Sequence, residues 1–328
     1  REGHKSIQKA SAMVIGAGGL AHVVLPYLAA AGVSKILIVE GDKVEESNLH
    51  RQILFTKNDI GSPKLEVTQR YLRSQFPDTH VEVFSGFLGK NLGIHQIPPC
   101  DLIIDCSDNF SAALSAEEYA LLHQIPMVYG KASRWDGQVT ILNGVQKMRL
   151  ASVFRGIDTS ASSFPCSAVG VMAPVVGAVG CIMATDALKI LGGMTSELEG
   201  KLWTFDFLTC RSMLVDISEA ASHSQKENEQ AQARLNLQPE QTLLVDVREE
   251  FERNEALTDA LKMPFSEISE NLHKLPTDRN LVFFCESGER ARQAMAMARF
   301  HGMMHVAAIN MREIAAVKMS PLAVDEKM

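Results

Sequence analysis

Ala12-Met13-Val14-Ile15-Gly16-Ala17-Gly18-Gly19-Leu20-Ala21 is the stretch whose reading decides the fold. Ala12 to Ile15 is an apolar run long enough for one buried strand, and a glycine-rich turn then breaks it. His22 to Ala31 reads as a helix stopped by Gly32, and Ser34 to Val39 as a second buried strand that ends at Glu40. Strand, glycine turn, helix, strand and acidic tip is the order of a nucleotide-binding βαβ unit. The spacing Gly16-x-Gly18-x-x-Ala21, with Glu40 about 20 residues beyond the turn, fits its fingerprint. Gly16 permits the tight turn, and Gly18 lets the backbone approach a phosphate. Ala21 is small enough for the helix to sit on the strand, and the helix amino-terminus attracts the anion. Glu40 is expected to accept hydrogen bonds from ribose hydroxyls. From these residues alone, a glycine turn without a ligand stays open as the alternative.

Outward from this unit the alternation continues. Lys64 to Gln75 reads as a helix, with Ser62 a cap and Pro63 at its first turn. Val81 to Phe84 and Asp101 to Cys106 read as strands, Ala112 to Gln124 as a helix, and Met127 to Tyr129 as a strand. Strands alternating with helices predict an α/β fold with a Rossmann-like, mostly parallel sheet. Ligands in such sheets sit beyond the carboxyl ends of the strands, so Glu40 and Asp108 are expected to face one pocket. Gln138 to Leu142, Trp203 to Phe207 and Ser212 to Asp216 read as further strands. Val145 to Ser163 shows no periodicity and reads as a surface loop. Ser218 to Asn236 is rich in Ser, Glu, Gln, Asn and Ala, the composition of a linker. A second βα pattern starts at Leu243 to Arg248. Leu281 to Phe284 then runs into Cys285, and a helix is expected from Arg290 to His301. The expected organisation is residues 1–217, a linker at 218–237, and a small α/β domain at 238–328.

The 328 residues carry a net charge of -7, with 46% hydrophobic and 22% charged residues, as in an ordinary soluble globular protein. That acidic balance argues against broad nucleic-acid binding. Ser167 to Thr185 has no charge, but Pro174, Gly170, Gly177 and Gly180 and its few large apolar residues favour a packed core helix over a membrane span. Arg1 to Ala12 is polar, without a signal pattern, and the absence of an initial Met suggests trimming at that end. Six scattered cysteines, no two of them two residues apart, fit the reducing cytoplasm and show no zinc ribbon.

The residues that carry chemistry lie downstream of the glycine turn. A triphosphate needs cations and a metal ligand, and Arg51, Lys64 and Asp108 offer both. Arg presents a fixed fork to phosphate oxygens, Lys a compact charge, and an Asp at a pocket rim can hold magnesium. Taken singly, Arg51 and Lys64 also fit solvated surface charges, and Asp108-Asn109 fits a helix cap.

Gly16-x-Gly18-Gly19, Ser47-Asn48-Leu49-His50-Arg51-Gln52, Gly61-x-Pro63-Lys64, Cys106-Ser107-Asp108-Asn109-Phe110 and Gly170-Val171-Met172-Ala173-Pro174 come in that order along the chain. Over roughly residues 1 to 215 they resemble the ubiquitin-activating-enzyme-like adenylyltransferases. The resemblance is strongest to the ThiF/MoeB-like enzymes of molybdopterin-synthase activation and thiamine biosynthesis. It implies adenylation by ATP of the carboxy-terminal glycine of a ubiquitin-like sulfur-carrier protein, by a cytoplasmic homodimer without membrane or nucleic-acid partners. The nucleotide site it implies comprises Gly16, Gly18, Gly19, Glu40, Asp42, Asn48, Arg51, Gln52, Lys64 and Asp108. Within it Glu40 takes the ribose, Asn48, Arg51 and Lys64 the phosphates, and Asp108 Mg2+. Cys166 stands near where the family often has a cysteine that links to the activated carrier; a buried inert thiol is its other reading. Leu244 to Glu249 and the loop Cys285-Glu286-Ser287-Gly288-Glu289-Arg290-Ala291 resemble a rhodanese. Cys285 would then be a thiolate or carry a persulfide, favoured by backbone N–H groups and a helix amino-terminus; a plain buried cysteine is its other reading.

The pattern also departs from the family. Its two Cys-x-x-Cys pairs are missing, so no structural zinc is expected. Its amino-terminal arginine is missing, and Ala112 to Ala116 replaces an Arg and an Asn of the helix after Asp108. Glu286 and Glu289 put negative charge beside Cys285, which opposes a thiolate, and the glycine pair usual near Asn310 is absent. Three rivals therefore stand beside the leading expectation. They are adenylation of a transfer RNA or peptide, a degenerate nucleotide-binding scaffold, and a nicotinamide dehydrogenase, for which no hydride-site motif is visible.

Overall fold

The computed structural model describes residues 2–89, 91–145, 148–153, 170–218, 242–253, 260–276, 279–286, 288–300, 303 and 306–314. The chain divides into two compact units, Arg1–Ala221 and Ser222–Met328. Apart from Ser218, the expected linker at 218–237 lies outside the described residues.

The first unit is built on strands β1 (Ser11–Ile15), β2 (Lys35–Glu40), β3 (His80–Ser85), β4 (Leu102–Asp105), β5 (Met127–Ser133), β6 (Asp136–Leu142), β7 (Lys201–Asp206) and β8 (Arg211–Asp216). They form one sheet in the order β3-β2-β1-β4-β5-β6-β7-β8. The first five pair in parallel, and β6, β7 and β8 add an antiparallel flank. The mostly parallel sheet of the sequence reading is present. Its inner strands read as unbroken apolar runs because both faces are covered, and Val14, Ile36, Ile38, Leu102 and Ile104 are fully buried. Strand order reverses between β1 and β4, which creates a switch point where the chain leaves on both sides.

Helices α1 (Glu2–Ile7), α2 (Ala21–Ala30), α3 (Lys64–Gln75), α4 (Phe110–His123), α5 (Leu150–Val153) and α6 (Ala173–Leu191) accompany this sheet. The uncharged stretch yields α6, which starts later than expected and runs on past Asp186 and Lys189. By length and composition alone α6 could cross a membrane, yet half of its apolar window is buried in the unit. Val175, Val176, Val179, Met183 and Ala187 share a core with α2, β1, β2 and β4.

Two local expectations change. Pro63 occupies the cap position of α3, and no side chain closes that helix end, so Ser62 is not its cap. Between Val145 and Ser163, the described residues 148–153 are not a surface loop. Met148 and Leu150 are buried there, and the Leu150 N–H donates to Glu117 Oε1 on α4 at 2.6 Å. A single helical turn is too short to show a period.

The second unit holds β9 (Thr242–Asp246), β10 (Leu261–Lys262), β11 (Asn280–Cys285) and β12 (Val306–Asn310), all parallel, in the order β10-β9-β11-β12. Cys285 is the last residue of β11. Helix α7 (Ile268–Asn271) lies between β10 and β11, α8 (Glu289–Phe300) comes after Cys285, and α9 (Met311–Ile314) comes after β12.

Candidate active site

The switch point of the first unit opens into a cavity of about 290 Å³ at the carboxyl ends of β1, β2, β4 and β5. All of Gly16, Gly18, Gly19, Glu40, Asp42, Asn48, Arg51, Gln52, Lys64 and Asp108 line it. The guanidinium, the ammonium and the carboxylate that sequence spacing scattered over two loops thus share one mouth.

The glycine turn is shaped by its neighbours. Gly16 has φ +90°, and a Cβ there would lie 2.9 Å from the Cys106 carbonyl oxygen at the end of β4. A Cβ on Gly19 would lie 2.7 Å from Val176 Cγ1 on α6, so that glycine serves packing. At Gly18 the nearest atom would be Gln52 Nε2 at 3.9 Å, which leaves the space above it to the cavity.

Glu40 is more committed than the sequence implied. Its Oε2 accepts from the Ala17 N–H at 2.8 Å, and its Oε1 accepts from the Gly41 and Asp42 N–H groups at 2.7 and 2.8 Å. A carboxylate offers about four lone-pair directions, so little acceptor capacity remains for a ribose hydroxyl. Its first task is to tie the glycine turn to the tip of β2.

The segment after β2 holds itself in shape through Asn48, which is buried. Asn48 Oδ1 accepts from Arg51 Nη2 at 3.1 Å and from Gln52 Nε2 at 3.0 Å, while its amide donates to Glu45 and Ser47. Lys64, buried at the start of α3, reaches Asp42 Oδ2 at 3.2 Å, and the Asp42 side chain is 54% exposed. His22 on α2 pins the same segment from below by accepting the Leu54 N–H at its Nδ1, 3.0 Å away. Burial pushes the His22 imidazole down to about 3, so it stays neutral and serves as a fixed acceptor.

On the β4 side, the helix-cap reading holds for Asn109, whose Oδ1 accepts from the Ala112 N–H at 2.7 Å. Asp108 is exposed, lines the cavity, and its carboxylate has no hydrogen bond among the described residues. Below it Asp105 is 1% exposed. Burial pushes its carboxyl up to about 6, opposed by the hydrogen bonds of Ser107 and by the charge of Lys131. Cys106 also lines the cavity, but burial, then the Asp105 charge, push its thiol well up, which makes it inert.

Sequence reading missed Phe87, Leu88 and Lys131, which also line the cavity. Cys166 lies outside the described residues. Cys285, in the second unit, is fully buried, and its Sγ accepts the Gly288 N–H at 3.2 Å. Arg290, taken as part of that active-site loop, turns inward. Its Nη1 and Nη2 donate to the two oxygens of Glu252 at 2.7 and 3.0 Å. Among the described residues, no three His, Cys, Asp or Glu side chains cluster as metal ligands.

The rhodanese-like domain profile matches residues 227–311. The sulfur carrier protein adenylyltransferase of Thermus thermophilus is 37% identical over 212 residues, 63% of this chain and 78% of that protein. The probable adenylyltransferase/sulfurtransferase MoeZ of Mycobacterium tuberculosis is 29% identical over 333 aligned positions, 92% of this chain and 85% of that one. The crystal structure of E. coli MccB with ATP shares the fold, with a TM-score of 0.57, 19% identity and 66% of each chain covered. The ThiF family profile matches residues 1–228, more than half of the chain, and the chain therefore belongs to the ThiF family.

Proposed function

We propose that this chain transfers AMP from ATP to the carboxy-terminal glycine of a ubiquitin-like sulfur-carrier protein of the MoaD/ThiS type. Such activation serves sulfur transfer in molybdopterin, thiamine or related biosynthesis. The observation that carries the reading is the convergence of Arg51, Lys64 and Asp108 on the cavity that the glycine turn opens. The names of the Thermus and Mycobacterium relatives support the reaction, and the first of them supports the acceptor.

Phe87 and Leu88 offer an apolar wall for the base, with the polyphosphate running past Gly18 toward Arg51 and Lys64. The acceptor carboxylate, ionised at neutral pH, needs no general base. One of its oxygens attacks the α-phosphorus, and the bond from that phosphorus to the bridging oxygen breaks. The electron pair leaves with pyrophosphate, and an acyl-adenylate remains. Arg51 and Lys64 lower the repulsion between the two anions and position them. Asp108 suits Mg2+, which takes one or two protein carboxylates together with phosphate oxygens. Bound there, the ion would neutralise phosphate charge.

Leu208, Met213 and Leu214, at and beside the β7–β8 hairpin, are exposed, as suits a protein acceptor or a second copy in a cytoplasmic homodimer. Cys285 is the position for a persulfide in the second unit, supported by the Gly288 N–H on its sulfur.

The test is ATP–pyrophosphate exchange with a purified carrier ending in Gly-Gly. Arg51→Ala and Asp108→Ala are each expected to lower exchange by about 100-fold or more. Unchanged exchange in both variants would remove the site assignment.

A further inference from the structure

Strand β5 runs to Ser133, four residues beyond the Tyr129 at which the sequence reading ends it. Its register with β4 pairs Tyr129 with Asp105, the last residue of β4. Lys131 therefore stands two residues past the end of β4, on the side of the sheet mouth where strands are leaving, and it lines the cavity. It is half-buried, and its side chain has no hydrogen bond or ion pair among the described residues.

Among the described residues, the other two cations that line the cavity, Arg51 and Lys64, approach from the opposite flank. Arg51 and Lys64 belong to the segment after β2, and both have partners, Arg51 with Asn48 and Lys64 with Asp42. Across the mouth the strands run β2-β1-β4-β5. Three strand spacings separate the first from the last, roughly 14 Å. A nucleotide whose base rests on Phe87 and Leu88 beyond β2 extends toward β5. On that side the α4 wall presents Ala112, and among the described residues the one charge beside Lys131 that faces the cavity is the Asp108 carboxylate. An anion arriving there meets repulsion from Asp108 and from buried Asp105 unless a cation offsets it. The charge of Lys131 already favours the ionised form of Asp105, which places the ammonium within electrostatic reach of that corner.

We infer that Lys131 is a third substrate-binding cation, which holds anionic oxygens at the β5 end of the cavity, where acceptor carboxylate and phosphate meet. The inference rests on the adenylation reading. The oxygens belong either to the phosphates of ATP or to the entering carboxylate, and two kinetic arms separate these sources.

Lys131→Met and Lys131→Arg are compared with the unaltered full chain in ATP–pyrophosphate exchange with a purified MoaD-type carrier ending in Gly-Gly. ATP affinity is measured alongside by calorimetric titration without the carrier. Lys131→Met is expected to lower kcat/KM by about 100-fold, and Lys131→Arg to restore most of it, because a guanidinium keeps the charge. A rise of about tenfold or more in the Kd for ATP assigns the oxygens to phosphate. An unchanged Kd with a raised KM for the carrier assigns them to the carboxylate. If Lys131→Met lacks the melting transition of the unaltered protein, Lys131→Gln takes its place in the same assays. Exchange constants within twofold of the unaltered protein in the neutral variant would overturn the inference alone. Absence of ATP binding and exchange in the unaltered protein would overturn the adenylation reading and this inference with it.

Discussion

In the first unit the cations at the sheet mouth face a cavity, whereas in the second unit Arg248 and Arg290 fold inward onto carboxylates. Arg248 Nε and Nη2 grip Asp246 at 3.0 and 2.8 Å, and both side chains are at least 95% buried. Arg290 also holds its carboxylate, Glu252, with two hydrogen bonds, from Nη1 and Nη2, and its side chain is 2% exposed. Arg51, by contrast, spends its hydrogen bonds on Asn48, the Ser47 carbonyl and the His50 ring, none of which brings a negative charge. Lys64 meets a carboxylate, but a half-exposed one that can turn toward a ligand or a metal. Residue type does not separate scaffold from site in this chain. What separates them is whether a charge is already answered inside the protein.

The largest test of that contrast is Arg290→Ala. Removing one partner of a buried ion pair leaves Glu252 uncompensated, at a cost of about 3–5 kcal/mol. Thermal unfolding should show the transition of the second unit moving down while pyrophosphate exchange stays intact. A parallel loss of exchange would break the contrast.

A smaller effect is expected within the first unit. Because the Asp105 carboxyl is pushed up to about 6 from an ordinary 3.8, the folded chain binds a proton between those values that the unfolded chain does not. Its burial as a charge therefore costs stability above pH 6, and the cost fades as pH falls toward 4. Asp105→Asn should raise Tm at pH 8, by a free energy on the order of 2–3 kcal/mol, and the gain should shrink at pH 5. A gain independent of pH would show that Asp105 is not charged in the fold.

Gly19→Ala should have the smallest effect. Its methyl group would press on Val176 Cγ1, a branched side chain with few rotamers. Such overpacking costs about 1–2 kcal/mol. Chemical denaturation of the first unit would measure it, and no change would mean that α6 yields easily.

Much of this site could be read from the chain alone because its parts are local. The glycine turn, Arg51 and Lys64 stand in short motifs whose strands and helices announce themselves by period, and Asp108 closes an apolar run. Lys131 was hidden for the opposite reason. It sits inside a strand, and only the pairing of Asp105 with Tyr129 carries it to the mouth. His22 was hidden too, since a histidine on an apolar helix gives no sign of the Leu54 N–H that it will accept. The short turn at Leu150 and the inward swing of Arg290 also depend on partners far along the chain, Glu117 and Glu252.

The three amides gathered by Glu40 make the glycine loop and the tip of β2 a single rigid piece before any ligand arrives. Two of those amides continue the strand tip, and the third belongs to the glycine loop across the gap. Any replacement at that position would loosen both ends at once. A weakened affinity there would report the collapse of a preformed cradle, and the worth of a sugar contact has to be read by changing the sugar.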